Sequence, residues 1–131
     1  MHITLESDYA IRIVFCLARA GKRMDAKSIA EETGVTLRFS LKILRKLVGS
    51  GIIKSFKGTQ GGYELGRDAD EISLYDVIRT IEGEYYLSRC VGEGYVCQCK
   101  GTKPCKFRKV FGEISRNVQA QLSEHKFSEF L

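Results

Sequence analysis

The stretch that most restricts how this chain folds runs from Asp25 to Leu65, DAKSIAEETGVTLRFSLKILRKLVGSGIIKSFKGTQGGYEL. It holds two helical patterns broken by the tight TGVT turn. Asp25 stands in the N-cap place of the first, Ile29, Ala30 and Thr33 fall toward a core, and Gly34 is a C-terminal stop. Thr36 opens the second, Leu37, Leu41, Leu44, Leu47 and Val48 make its apolar stripe, and the pattern ends before Gly51. Its other face carries Arg38, Lys42, Arg45 and Lys46. Two short strands follow, Ile52 to Phe56 and Tyr63 to Leu65, around a turn containing Gly58, Gly61 and Gly62.

Two helices joined by a tight turn, the second basic on its open face, match a helix-turn-helix, and a hairpin directly after it reads as a wing. Each part has an ordinary reading too: a solvated basic face on a helical bundle, or a glycine-rich turn. The order helix, helix, basic helix, basic hairpin favours double-stranded DNA as a partner. The net charge of +5, from 21 basic and 16 acidic residues, permits that partner without requiring it. Arg38, Phe39 and Lys42, with Thr36 and Leu37 at the helix start, are the candidates for the major groove. On the wing the candidates are Lys57 for a phosphate, Gln60 for a base edge or phosphate, and Gly61, where backbone approaches closely.

The flanking segments complete a core. SDYAIRIVFCLARAG puts Tyr9, Ile13, Val14, Leu17 and Ala20 at helical spacing, with Ser7 and Asp8 as candidate caps and Gly21 as the stop. EISLYDVIRTIEG offers a capping-box start, Ser73 and Asp76, before the stripe Leu74, Val77, Ile78 and Ile81. CKFRKVFGEISRNVQAQLSEH repeats Phe107, Val110, Phe111, Ile114, Val118 and Leu122 on an otherwise polar helix. That stripe either packs back on its own domain or pairs with a second subunit, which would supply two recognition helices for a pseudo-palindromic site.

The 131 residues suffice for one domain and an arm, and a single proline argues against long linkers. No run approaches the roughly 18 apolar residues of a membrane span, and the start MHITLESDYA lacks the features of a signal peptide, so a cytoplasmic protein with no membrane partner is expected. Thiols stay reduced there. Four of the five cysteines lie in CVGEGYVCQCKGTKPC, from Cys90 to Cys105, and metal binding or redox sensing is favoured over a disulfide. The spacing shows no C-x2-C pair and so fits zinc poorly. Iron-sulfur clusters accept looser thiolate spacings, and Lys100, Lys103, Lys106, Arg108 and Lys109 would offset their negative charge. Reduced, uninvolved thiols are the plain alternative. Cys16 reads as a small buried hydrophobe.

The winged helix-turn-helix, the EISLYDVIRTIEG helix and the cysteine segment leading into a long helix together resemble the Rrf-type winged helix-turn-helix transcription regulators, the IscR/NsrR-like family. The resemblance covers nearly the whole chain. It implies a mainly α fold with a small β-hairpin, divided into a DNA-binding domain at 1–84, a cluster-binding loop at 85–105, and a dimerisation helix with C-terminal tail at 106–131. It implies a homodimeric regulator, expected to be a repressor, with a [4Fe-4S] or [2Fe-2S] cluster sensing nitric oxide, redox state or iron supply. The family's three cysteines correspond to Cys90, Cys99 and Cys105; Cys97 is an extra, as fourth ligand, replacement or bystander. IscR-like members carry a histidine where this chain has Arg108, which cannot ligate. NsrR-like members recruit a carboxylate from the partner's first helix, where Asp8 stands here; helix capping is the other role open to Asp8.

Two alternatives remain: a cluster-free member sensing a metabolite, a partner protein or thiol oxidation, and a zinc-stabilised interaction module. An enzyme is not expected, since His2 and His125 lie in terminal segments and DADE reads as a solvated loop. Replacing Arg38 by Ala is expected to relax operator preference in a binding assay across duplex sequences; unchanged preference would remove Arg38 from that role.

Overall fold

The computed structural model describes residues 2–96 and 105–131. Its elements are α1 (Leu5–Ala20), α2 (Ala26–Thr33), α3 (Leu37–Gly49), β1 (Ile53–Phe56), β2 (Gly62–Leu65), α4 (Leu74–Glu82) and α5 (Lys106–Glu124). Short 3-10 turns lie at Ala69–Glu71, Arg89–Val91 and Phe127–Phe130.

Local chemistry sets most boundaries. Asp25 accepts from the Ser28 amide at 2.7 Å and Thr36 from that of Phe39 at 3.2 Å, so α2 and α3 begin where the capping pattern puts them. Gly34, at φ +72°, makes the left-handed turn between them. The capping box of α4 forms in both directions: Ser73 N donates to Asp76 Oδ2 at 2.9 Å, and Asp76 N to Ser73 Oγ at 3.0 Å.

The start of α1 differs from the sequence expectation. Thr4, rather than Ser7 or Asp8, is the N-cap, accepting from the Ser7 amide at 3.1 Å. The reason is tertiary. The Glu82 carboxylate at the end of α4 accepts from Thr4 N and Thr4 Oγ1, each at 3.2 Å, and from the buried Ser7 hydroxyl. A carboxylate at a helix N-terminus also meets the positive end of its dipole. Ser7 and Asp8 therefore lie inside the first turn.

Ile13, Val14 and Leu17 of α1 pack with Ile29 of α2 and with Ile43, Leu44 and Leu47 of α3, all essentially inaccessible to water. The hairpin docks beside them. β1 and β2 pair antiparallel with Ile53 opposite Leu65 and Phe56 opposite Gly62. Met24, in the α1–α2 connection, adds a bridge by exchanging backbone hydrogen bonds with Tyr63 at 2.9 and 2.7 Å. A side chain at Gly62, whose φ is +139°, would place its Cβ 2.5 Å from the Met24 carbonyl oxygen.

The stripe of α5 is divided. Phe111, Val118 and Leu122 are half-buried, with Gly112 and Ser115 fully buried beside them, whereas Phe107, Val110 and Ile114 are 75%, 50% and 40% exposed. Beyond α5 the tail returns to the domain core. Leu74 N donates to the His125 carbonyl at 2.9 Å, Phe127 N to that of Ile72 at 3.0 Å, and the Phe127 ring is 1% exposed within the core cluster. Phe127→Ala is expected to lower unfolding stability by about 3–5 kcal/mol, the range for emptying a buried aromatic site, as read by urea denaturation.

Candidate nucleic-acid interface and cysteine segment

With Ser40, Ile43, Leu44 and Leu47 turned inward, the outer face of α3 presents Leu37, Arg38, Leu41, Lys42, Arg45 and Lys46 around one shallow depression. Leu37 and Leu41 were read as part of the helix's apolar stripe, and Leu37 also as a candidate for the major groove. Both are exposed, at 46% and 44%, because they lie at the edge of the buried arc and, among the described residues, no other element reaches over them. Arg38 and Lys42 face outward as expected. The hydroxyl of Thr36 is engaged as the helix cap. Phe39 turns toward α1, its ring edge-on to Tyr9 at 5.6 Å between centroids. Lys42 Nζ lies 5.6 Å from the Phe39 centroid and 3.8 Å from Glu6, while Lys46 pairs with Glu6 at 2.8 Å. Such partly exposed pairs contribute about 0–1 kcal/mol, little enough for a phosphate to displace them.

On the wing, Lys57 and Gln60 are exposed and Gly61 is half-buried. The Gly61 amide closes the turn onto the Gly58 carbonyl at 3.0 Å, and a Cβ at Gly61 would meet the Phe56 carbonyl oxygen at 2.4 Å. The glycines thus serve the turn and its contact with Met24. Sequence reasoning missed Arg23. Its guanidinium lies 3.5 Å from the Phe56 ring centroid, donates to the Gln60 carbonyl at 3.3 Å and stands 3.6 Å from Glu64. It binds the wing to the connection before α2, and nothing in its local sequence distinguishes it from other surface arginines.

Of the cysteine segment, Cys90 and Cys105 are described; Cys97 and Cys99 lie outside the described residues. Cys90 and Cys105 are free thiols, each half-buried. Cys105 occupies the N-cap position of α5, and its carbonyl accepts from Lys109 N at 3.1 Å. Arg108, in the first turn of the same helix, donates from Nε to the Cys90 carbonyl at 2.9 Å, and Cys90 Sγ is 3.2 Å from Ser88 Oγ. Both ends of the segment are therefore fastened to the start of α5. Further along, Ser115 Oγ accepts from Leu87 N at 2.8 Å and Gln119 donates to the Tyr85 carbonyl at 2.6 Å. Thiols are the donor type that iron-sulfur clusters take, and Cys105 stands at a helix N-terminus, which favours negative charge. Asp8 is paired with Arg12 at 2.8 Å on the outer side of α1.

Cys16 is 5% exposed, as expected of a small core residue, with Sγ 3.4 Å from Glu32 Oε2 and 3.8 Å from Met24 Sδ. Burial first, and the Glu32 carboxylate second, push its thiol up to about 11. The stability gained by keeping this thiol protonated is present below pH 9, where an unfolded thiol also holds its proton, and is lost as pH rises toward 11. Iodoacetamide at pH 8 should leave Cys16 unmodified in the native chain and modify it in denaturant, as read by peptide mass spectrometry.

Comparison with known proteins agrees with this architecture. Residues 3–131 match the family model described as "Rrf2: Iron-dependent Transcriptional regulator". Protein aau3 of Rhizobium meliloti is 33% identical over 97 residues, which cover 73% of this chain and 63% of that protein. The transcriptional regulator IscR of Klebsiella pneumoniae is 25% identical over 133 residues, covering 100% of this chain and 80% of that one. The crystal structure of the oxidised form of CymR from Staphylococcus aureus superposes with a TM-score of 0.71 at 26% identity, covering 97% and 93% of the two chains. The winged helix-turn-helix, the long helix that follows it and the family match across nearly every residue lead to one conclusion: the chain belongs to the Rrf2 family of transcriptional regulators.

Proposed function

We propose that this regulator acts as a homodimeric, cytoplasmic repressor whose operator affinity is set by an iron-sulfur cluster held by Cys90, Cys99 and Cys105, with Cys97 or Asp8 of the partner subunit as fourth ligand. The observation that carries the reading is the fastening of both Cys90 and Cys105 to the first turn of α5, through Arg108 and the helix cap. The matching family is described as iron-dependent, and the Klebsiella relative is named IscR. When bound, a cluster supplies a group whose loss, oxidation or nitrosylation alters the ligand geometry around it.

The chain's own residues supply the transmission. Arg108 ties the Cys90 backbone to α5, and Ser115 and Gln119 tie the 85–87 segment to its middle. His125 and Phe127 then fasten its far end to the start of α4 and the core around α1 and α3. A displacement at the cysteine end is thereby carried to the recognition helix, and operator affinity changes by the difference in stability between the two arrangements. The exposed Phe107, Val110 and Ile114 on α5 support dimerisation, since a row of large apolar groups on an otherwise polar helix gains most by pairing with its copy. For Asp8 to ligate, Arg12 must release it.

A second reading, a thiol switch without a cluster, draws on the likeness to CymR, a regulator crystallised in an oxidised form. An anaerobic absorption spectrum with iron and sulfide counts separates the two. The cluster reading expects a coloured protein with iron and acid-labile sulfide, and a spectrum that changes in either Cys97→Ser or Asp8→Ala. A colourless protein lacking both elements would favour the thiol switch.

A further inference from the structure

Among the described residues, no other element covers the leucine pair on the outer face of α3. Leu37 and Leu41 are 46% and 44% exposed, one helical turn apart, and share their depression with Arg38, Lys42, Arg45 and Lys46. The helix itself, LRFSLKILRKLVG, contains no carboxylate. Glu6 of α1 pairs with Lys46 at 2.8 Å and lies 3.8 Å from Lys42. An exposed apolar strip rimmed by cations fits a surface that is anionic at its borders and apolar within. The same charge pattern disfavours a second copy of this face, since its rim would meet four like charges.

The major groove of DNA is such a surface. Phosphates line both edges, and the one apolar group on its floor is the C5-methyl of thymine. We propose that Leu41, with Leu37 one turn before it, reads thymine methyl groups in the operator. The inference rests on the DNA-binding reading of α3 and names the sequence class it selects. At about 1.5 Å of rise per residue the two leucines lie about 6 Å apart along the helix. That is roughly two base pairs at 3.4 Å each, so the thymines recognised should fall within a two-to-three base-pair window beside the base addressed by Arg38. The cations around the leucines hold the backbone and contribute affinity independent of sequence. The leucines contribute preference for a methyl that cytosine and uracil lack.

The test is a duplex selection followed by removal of single methyl groups. The full-length chain, purified anaerobically, selects duplexes from a random-sequence pool, and each thymine of an enriched duplex is then replaced in turn by deoxyuridine. Affinities for the native chain and for Leu41→Ala are measured at one salt concentration. The native chain should lose about fourfold at one or two positions, the worth of one buried methyl-sized group. Leu41→Ala should bind the parent duplex weaker by a similar factor, show no further loss at one of those positions, and keep the native salt dependence. Its melting temperature should match that of the native chain, since Leu41 is exposed. A Leu41→Ala chain with native sensitivity to deoxyuridine at every position would overturn the proposal. So would a variant that matches the native chain on every duplex, an outcome that would leave the leucines to an acidic protein partner. A native chain that enriches no duplex would overturn the DNA reading itself, which is a distinct failure.

Discussion

The packing of α1 against the rest of the chain is the constraint on which the structure depends. Its inner stripe, Ile13, Val14 and Leu17, is wholly buried against α2, α3, α4, β2 and the returning tail. Its first turn is held by Glu82 from α4, and Glu6 in that turn reaches Lys46 and Lys42 on α3. A helix whose inner face is packed against so many elements moves its neighbours with it, because a close-packed interior transmits displacement rather than absorbing it. α1 therefore joins the recognition helix to α4 and, through Phe127, to the end of α5.

The wing is held from the connection that follows the same helix. Met24, directly after α1, bridges to Tyr63, and Arg23 clamps Phe56, Gln60 and Glu64. A two-stranded hairpin alone is marginally stable in water. The added backbone bridge and the stacked guanidinium give this one a fixed angle to α3. The spacing between the recognition helix and the wing tip is thus a property of the α1–α2 connection as much as of the hairpin itself.

The cysteine segment stands where it can act on this arrangement. Its ends meet at the first turn of α5, whose middle and far end are fastened to the domain by Ser115, Gln119, His125 and Phe127. Arg108 occupies the position where the family resemblance led one to expect a histidine ligand, and it holds the Cys90 backbone instead. That side chain cannot ligate, and its contact is with the Cys90 carbonyl.

Much of this was legible in the sequence because it is local. Asp25, Thr36 and the Ser73–Asp76 box cap their helices through bonds within three residues, and Gly34 ends α2 by its own conformational freedom. The basic outer face of α3 and the hairpin follow from residue order in the same way. What tertiary structure alone decided lies where distant segments compete for one group. Glu82 moved the start of α1 to Thr4, the tail drew Phe127 into the core, and Arg23 acquired its role from a wing more than thirty residues away. Periodicity put Leu37 and Leu41 on one apolar stripe with Leu44 and Leu47, since a stripe records which side chains are apolar but not how wide an arc the neighbouring elements cover. That width is set by the placing of α1, α2 and α4 around α3, and it leaves the two leucines facing outward.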